Sequence, residues 1–256
     1  MNLGRVKTFL ILLFLGINIY LILSMHYSTR FSVDEATREN CTRLLAEHGI
    51  TLDVEKIPEY TVNLNNIDTN NIVHSKIFVK NGNAEVSGNK FSVTAEPHEL
   101  PGPNAATIKQ FLKNFGFNTK YMDVNYSDTK KAWYVTCTVG GYRIFDNVVK
   151  ITAEPDKGHF LVEGMWYDPA SSKVQARTRQ RNTVYITSVL LDMAQNESIM
   201  KNAPFEITDI SYGYLAGKAY GKASHISYAA LPYYRIKDNL GNVYYFDAQS
   251  GTYLEN

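Results

Sequence analysis

The sequence predicts an α+β protein, in which a single N-terminal transmembrane helix precedes an external region of two repeated helix-plus-antiparallel-sheet units. Three observations predict this fold class. Residues 8–25 contain no charged side chain. Two later segments carry apolar residues at helical spacing. Each of these segments is followed by several short alternating stretches, which is typical of an antiparallel meander that packs against its helix.

The charge-free run of residues 8–25 reads TFLILLFLGINIYLILSM. As a helix it would extend about 27 Å, close to the bilayer's hydrocarbon core of about 30 Å. A signal peptide is the alternative, but its apolar core usually has only about 7–15 residues and ends in small residues at a cleavage site. Residues 24–30, SMHYSTR, have no such pair of small residues. The pattern therefore favours an uncleaved membrane anchor.

Two basic residues, Arg5 and Lys7, directly precede the run. Because basic flanks stay in the cytoplasm, residues 1–7 are expected to form a cytoplasmic stub, and the C-terminal region is expected to be extracytoplasmic. This predicts a single-pass protein of the cell membrane. Within the span, Gly16 and Asn18 are candidate contacts with other transmembrane helices, since glycine permits close approach and an amide in lipid gains from a partner. The alternative is that Asn18 is merely tolerated in the anchor.

Composition limits the possible partners and crosslinks. The 256 residues include 26 basic and 25 acidic side chains, a net charge of +1, so no bulk attraction to nucleic acid is expected. The only cysteines are Cys41 and Cys137. Outside the cytoplasm they are able to form a disulfide, but each also fits a buried position as a small apolar residue, and the pattern leaves both readings open.

The external region divides into three predicted parts. Residues 30–100 hold a juxtamembrane helix at 33–48 and N-terminal hairpins, marked by the Asn81-Gly82 turn. Residues 101–170 form the first helix-plus-sheet unit, and residues 171–256 form the second. The helices of the two units are expected at 105–115 and 182–196, and the strands at 119–126, 132–139, 142–151 and 159–167, then at 206–215, 224–229, 233–237 and 242–247.

The usual catalytic signatures are missing from the sequence. It contains no H-E-x-x-H, G-x-S-x-G, Walker loop or C-x-x-C, and its six histidines are dispersed. We therefore expect no catalytic residue, no metal site, no cofactor and no enzymatic activity, although convergent carboxylate pairs escape this kind of search. One basic cluster stands out as a possible contact with anionic lipid or wall polymer, or else as a solvated linker: Lys173, Arg177, Arg179 and Arg181.

Several segments resemble the YycI family of Gram-positive bacteria. The start, R-x-K-T followed by a span with an embedded asparagine, is similar, as is the amphipathic helix that ends in HGI. Residues 141–147, GYRIFDN, resemble the family's G-x-P-I-F-D/G turn, with Arg143 in place of the usual proline. Residues 231–251 resemble the closing P-x-W-R-I … G-x-x-Y-Y-F-[DN]-A-x-[ST]-G motif, with Tyr234 where tryptophan is common. This ending is also PepSY-like.

The resemblance implies structural roles for the motif residues, which we expect to bear the fold and not to bind a ligand. Glycines are expected in turns, and Tyr244 and Phe246 on one strand face. These fold-motif residues are Gly141, Ile144, Phe145, Tyr234, Gly241, Tyr244, Phe246 and Gly251.

The resemblance also implies a non-enzymatic, membrane-anchored regulator of the cell-wall-linked sensor histidine kinase, WalK or YycG, acting with a YycH-type anchored protein. Such a regulator would act through transmembrane helix packing and external contacts, for which the tyrosine-rich strands 211–214 and 242–246 are suited. The alternative is that these tyrosines fill a seam between the two units. Other functional readings are a wall-polymer-binding module, a wall enzyme, or a PepSY-type inhibitor of an extracytoplasmic protease.

Overall fold

The computed structural model of the chain describes residues 13–20, 30–62, 64, 66–74, 78, 84–154, 156–169, 183–220 and 227–255. Strands dominate these residues, and the helices between them are short. The helices are α1 (Glu35–Glu47), α2 (Ala105–Asn114), α3 (Ile186–Gln195) and α4 (Glu197–Met200), with 3-10 turns at Val54–Lys56, Ile72–His74 and Thr119–Tyr121.

The strands are β1 (Arg30–Ser32), β2 (Ile50–Thr51), β3 (Tyr60–Val62), β4 (Ile67–Asn71), β5 (Ala84–Ser87), β6 (Lys90–Ala95), β7 (Met122–Ser127), β8 (Ala132–Val139), β9 (Tyr142–Glu154), β10 (His159–Gly164), β11 (Tyr167–Pro169), β12 (Phe205–Tyr220), β13 (Ser227–Asp238) and β14 (Val243–Asp247).

Twelve of these strands form one mixed sheet, and β1 and β3 form a separate pair. The main path of the large sheet runs β11-β4-β13-β12-β9-β10-β6-β5. The remaining strands branch from it: β14 pairs with β13, β2 with β12, β8 with β9, and β7 with β8. Most pairs are antiparallel, but β12 is parallel to both β2 and β9. The sixteen-residue β12 therefore joins three neighbours at the middle of the sheet.

The predicted α+β class, with two repeated units that each have their own sheet, is wrong. The strands expected in both units belong to one large mixed sheet, and helices are few. Alternating apolar residues show that a segment is a strand but do not name its partner. The pairing of β9 with β12 joins Ile144 to Tyr214. These residues are seventy positions apart in the sequence, and no turn signal between them indicates that they pair.

The predicted transmembrane span at 8–25 lies only partly within the described chain. Residues 13–20 are helical, whereas 8–12 and 21–25 lie outside the described residues. Among the helices that the structure describes, none has both the length and the apolar character needed to cross a membrane.

Two hydrophobic cores pack between the helices and the sheet. The first includes Ile108 and Leu112 of α2, which lie four residues apart on the buried face of that helix. The second includes Leu45 of α1 and Leu190 of α3. Asn104 caps the N-terminus of α2, and its side chain and that of Thr107 form a reciprocal capping box. Helix α1 begins after Asp34, which accepts a hydrogen bond from the Thr37 amide at 2.7 Å.

The two cysteines lie in different cores, and both are free thiols. Cys41 belongs to the second core and Cys137 to the first. Burial raises the pKa of Cys41 to about 11 and that of Cys137 to about 12. Both side chains therefore act as small buried apolar residues, which was one of the two readings that the sequence left open.

A buried carboxylate closes the turn between β13 and β14. Asp238 is 4% exposed and accepts hydrogen bonds from the Leu240 amide (3.0 Å), from the Asn242 amide and side chain (both 2.8 Å) and from the Tyr244 hydroxyl (2.9 Å). Burial pushes the pKa of Asp238 upward. The bonds from Asn242, Tyr244 and Leu240 outweigh burial, so the pKa lies below its ordinary value of 3.8.

We predict that Asp238→Asn lowers the free energy of unfolding by about 1–3 kcal/mol at neutral pH, because the amide offers fewer acceptors for these donors. Since the folded-state pKa is depressed, the carboxylate stabilises the protein above about pH 4, and this contribution is lost as pH falls through the lower folded-state value. Urea denaturation at pH 7 and at lower pH measures both effects. Asp128→Asn, in an exposed turn, is the control. A variant difference that does not shrink on acidification would contradict the assignment.

Candidate functional site

The middle of the large sheet has one face turned away from the two cores. Along β13, Tyr234 and Ile236 pack in the second core, so the alternating residues Tyr233 and Arg235 lie on the opposite face. Along β14, Tyr245 lies on that same face. A third, small apolar cluster sits there: Phe145, Leu215 and Tyr233, with Leu231, Tyr245 and Leu254 packed against it.

Gly213 allows this cluster to form. A Cβ atom added to Gly213 would lie 2.8 Å from Cζ of the Phe145 ring and 2.3 Å from the carbonyl oxygen of Arg143. Both distances are far shorter than van der Waals contact. Only glycine therefore fits at position 213, where the backbone of β12 lies against both the β9 backbone and the Phe145 ring. The ring of Phe145 therefore lies over the backbone of β12 and reaches side chains on the strands beyond.

Arg235 is held by three contacts on this face. Its guanidinium carbon lies 4.6 Å from the centre of the Phe145 ring, a cation–π arrangement. Its Nη2 atom is 3.1 Å from Oδ2 of Asp209, and its Nε donates to Oγ of Ser211 at 3.0 Å. The side chain is only 16% exposed. Arg235 is thus a fixed positive charge with one ion-pair partner.

Arg143 provides a second guanidinium, and it is exposed. Partial burial and the nearby charge of Arg235 lower the pKa of Arg143. The nearby Asp123 and Tyr245 oppose this shift, and no described acidic residue lies within ion-pair distance of the Arg143 guanidinium. Burial raises the pKa of Tyr245, an effect that Asp146 strengthens and that Arg235 and Arg143 oppose, so its hydroxyl lies in the field of both guanidinium groups.

We name Arg143, Phe145, Tyr233, Arg235 and Tyr245 the arginine–aromatic face. The ring centres of Phe145 and Tyr245 are 5.9 Å apart, which places the aromatic members in direct contact. Arginine, tyrosine and phenylalanine are enriched in protein–protein interfaces, whereas lysine and glutamate are depleted there. The arginine–aromatic face contains residues of the enriched types alone. Phe145 and Tyr233 are buried, Arg235 and Tyr245 are partly exposed and Arg143 is exposed, so the side chains accessible to a partner are the two arginines and Tyr245.

The residues that follow Phe145 fix this part of β9 to its neighbours. The register between β8 and β9 shifts at one point: Thr136 pairs with Val148, but the next residue, Cys137, pairs with Ile144. Asp146 and Asn147 therefore lie in an irregular stretch of β9. Oδ1 of Asp146 accepts a hydrogen bond from the Ala216 amide at 2.8 Å. The buried Asn147 side chain donates to the Tyr167 carbonyl at 2.8 Å and accepts from the Tyr167 amide at 2.7 Å. These three bonds replace missing strand pairing.

The predicted fold-motif residues divide among the three apolar clusters and the turns. Ile144 is buried in the first core, and Phe145 is in the third cluster. Gly141, Gly241 and Gly251 all have positive φ. Tyr234, Tyr244 and Phe246 are buried in the second core, and the Tyr234 hydroxyl donates to the Val184 carbonyl at 2.7 Å.

The other predicted site residues lie elsewhere. The Asn18 side chain donates to the Phe14 carbonyl of its own helix at 2.8 Å, and a Cβ at Gly16 would meet no atom within 4 Å. The predicted basic cluster, Lys173, Arg177, Arg179 and Arg181, lies outside the described residues. Within the described part of the chain, no three His, Cys, Asp or Glu side chains are grouped so as to hold a metal ion.

The tyrosines that suggested a contact surface divide between two environments. The Tyr212 hydroxyl is 3.2 Å from Oγ1 of Thr183, and its ring centre is 4.9 Å from that of Tyr234. Tyr214 is buried in the first core. Tyr212 therefore packs against the second core and Tyr214 within the first, whereas Tyr245 lies on the arginine–aromatic face.

Sequence reasoning missed Gly213, Tyr233 and Arg235 as members of one site. A glycine inside a strand, flanked by Tyr212 and Tyr214, is a recognisable sign of close backbone approach. Nothing in the spacing shows that it faces Phe145. Arg143 had been noticed only because it replaces a proline in the resembling motif.

Comparison with known proteins adds little to this description. No protein-family model matches the chain, and no curated protein matches it. Among solved structures, it is similar to an uncharacterized protein from Eubacterium rectale whose crystal structure is known at 1.45 Å resolution. The two are 12% identical, with 85% of this chain and 98% of the other covered, and the TM-score is 0.40. So weak a likeness carries no inference about fold or function.

We predict that Gly213→Ala lowers the free energy of unfolding by about 3 kcal/mol, because the added methyl group displaces both the Phe145 ring and the backbone of β9. Chemical denaturation followed by tryptophan fluorescence measures this loss. Gly16→Ala is the matched control, since its methyl group meets nothing within 4 Å and should leave unfolding of the sheet unchanged. Equal stability of the two variants would show that Phe145 does not cross β12 at Gly213.

Proposed function

We propose that this chain is a non-enzymatic, membrane-anchored regulator of a cell-wall-linked sensor histidine kinase of the WalK/YycG type, and that it acts with a YycH-type anchored protein. One observation carries the proposal. The two segments that resemble the YycI family, 141–147 and 231–251, contact each other at the arginine–aromatic face. The contact joins Phe145 of the first segment to Arg235 and Tyr245 of the second.

The chemistry of this face supports a protein as the partner. Phe145 and Tyr233 are buried and support the partly exposed Arg235 and Tyr245 from below, and Arg235 is also fixed by its contacts with Asp209 and Ser211. Little side-chain freedom is therefore lost when a partner binds, which favours affinity. Arg143 is exposed and free of any ion pair to the described residues, so it is available to a carboxylate of the partner.

The N-terminal segment supports the anchored part of the proposal. Residues 8–25 carry no charge and follow Arg5 and Lys7. In residues 13–20 the large apolar side chains are exposed, among them Phe14 at 69% and Tyr20 at 70%. An anchor in the same membrane as the kinase raises the effective concentration of the external region, so that a weak contact through the face becomes sufficient.

We predict that Arg143→Glu weakens association of the full chain with a YycH-type partner at least tenfold, or about 1.4 kcal/mol, because charge reversal removes the exposed guanidinium from the contact. The measurement is binding between the two full-length proteins in nanodiscs, together with kinase output in cells. Kinase output should shift toward that of cells lacking this chain.

The control variant is Lys113→Glu, which makes the same charge change on the exposed surface of α2. It should leave both association and kinase output unchanged, and both variants should unfold like the wild-type protein. Association that survives Arg143→Glu would overturn the proposed contact. Retention of the full chain on purified peptidoglycan, or release of product from it, would instead favour a wall-binding or wall-degrading role.

A further inference from the structure

Among the described residues, the large sheet ends at a strand that has a partner on one side alone. Strand β5 is the last on the main path and pairs with β6 on its inner side. No other strand in the described part of the chain pairs with it. A two-residue turn, Gly88-Asn89, joins β5 to β6, so Ser87 and Lys90 face each other directly.

The register decides which backbone groups of β5 are available. Residues that flank a two-residue hairpin turn exchange hydrogen bonds with each other, and every second pair along the ladder does the same. Ser87 and Glu85 therefore direct their N–H and C=O groups toward β6. Ala84 and Val86 direct theirs outward, where they are free to pair with an added strand.

A groove of about 600 Å³ lies beside this edge, on the face that β5, β6, β10 and β9 share. One row of directly opposed residues crosses it: Glu85, Ser92, Glu163 and Lys150. Lys150 and Glu163 form an ion pair at 3.1 Å. Next to this row, Gly164 packs directly against the backbone of β9, since a Cβ there would overlap the Val148 carbonyl oxygen.

The charges near the edge select the kind of strand that fits. Glu85 and Lys90 are exposed, and neither forms an ion pair with another described residue. A negative side chain on an edge strand repels an acidic residue placed opposite it on an added strand, and attracts a basic residue in the same place. Glu85 lines the groove and lies on the edge strand itself, so it is directly adjacent to any strand that adds there.

We propose that the outer edge of β5 and the adjacent groove bind an extended peptide segment of another polypeptide by strand addition. Backbone groups of Ala84 and Val86 pair with the peptide, and a lysine or arginine of the peptide faces Glu85. Alternate peptide side chains enter the groove, where they meet polar and charged residues of β5 and β6. The site lies away from the arginine–aromatic face, and it does not depend on the regulatory function proposed above.

The test uses the full chain in nanodiscs and a randomised library of eight-residue peptides displayed on phage. Selection should enrich peptides that carry a lysine or arginine at one fixed position, the one opposite Glu85. Hydrogen exchange with the tightest synthetic peptide should then show protection of the outward amides of Ala84 and Val86. Absence of any enriched peptide, or binding without protection of these two amides, overturns the proposal.

Two substitutions separate backbone pairing from side-chain contact. Val86→Pro removes an outward N–H that the sheet itself does not use, so it should weaken binding at least tenfold while the protein still unfolds cooperatively. Val86→Thr keeps the amide and should bind like the wild-type protein. Glu85→Lys should reverse the charge preference, so that a peptide with glutamate in place of lysine binds better. Equal binding by Val86→Pro and Val86→Thr overturns strand addition.

Discussion

The parallel contact between β9 and β12 is the constraint on which the rest of the structure depends. It consists of a single pairing, Ile144 with Tyr214, whereas the longer ladders of both strands are antiparallel. So short a ladder contributes little by itself, because each backbone hydrogen bond adds only about 1 kcal/mol of net stability. The side chains around this pairing supply the rest of the stabilisation of the junction. Asp146 binds the Ala216 amide, and the ring of Phe145 covers Gly213.

This junction also explains why the arginine–aromatic face forms at the middle of the sheet. Phe145 crosses β12 because Gly213 has no side chain, and the ring then supports both Arg235 and Tyr245. The residues that join the strands are therefore the same residues that shape the face. Arg143 is different, since only its backbone takes part in the junction while its side chain is exposed. Substitution of the Arg143 side chain should therefore change recognition without changing stability, whereas substitution of Phe145 should change both.

Local patterns in the sequence predicted many elements but not their assembly. Apolar residues at i, i+3 and i+4 located α2, through Ile108, Phe111 and Leu112, and alternation separated Tyr244 and Phe246 from Tyr245 in β14. These features follow from the period of one helix or one strand. The pairing of β9 with β12 depends instead on tertiary packing around Gly213, which no periodicity reveals. For that reason the sequence suggested two separate sheets where one exists, and it left the arginine–aromatic face unrecognised.

The two candidate binding regions use different physical means, and their positions keep them apart. Four strand spacings separate β5 from β12 along the path β5-β6-β10-β9-β12, roughly 19 Å at about 4.8 Å each. The arginine–aromatic face presents side chains in fixed positions, so the contact proposed there would depend on the partner's side chains. The edge of β5 presents backbone groups, which accept any extended segment, and Glu85 adds a preference for basic ones. A sheet that offers both is able to hold a folded partner on its face while an extended segment pairs with its edge.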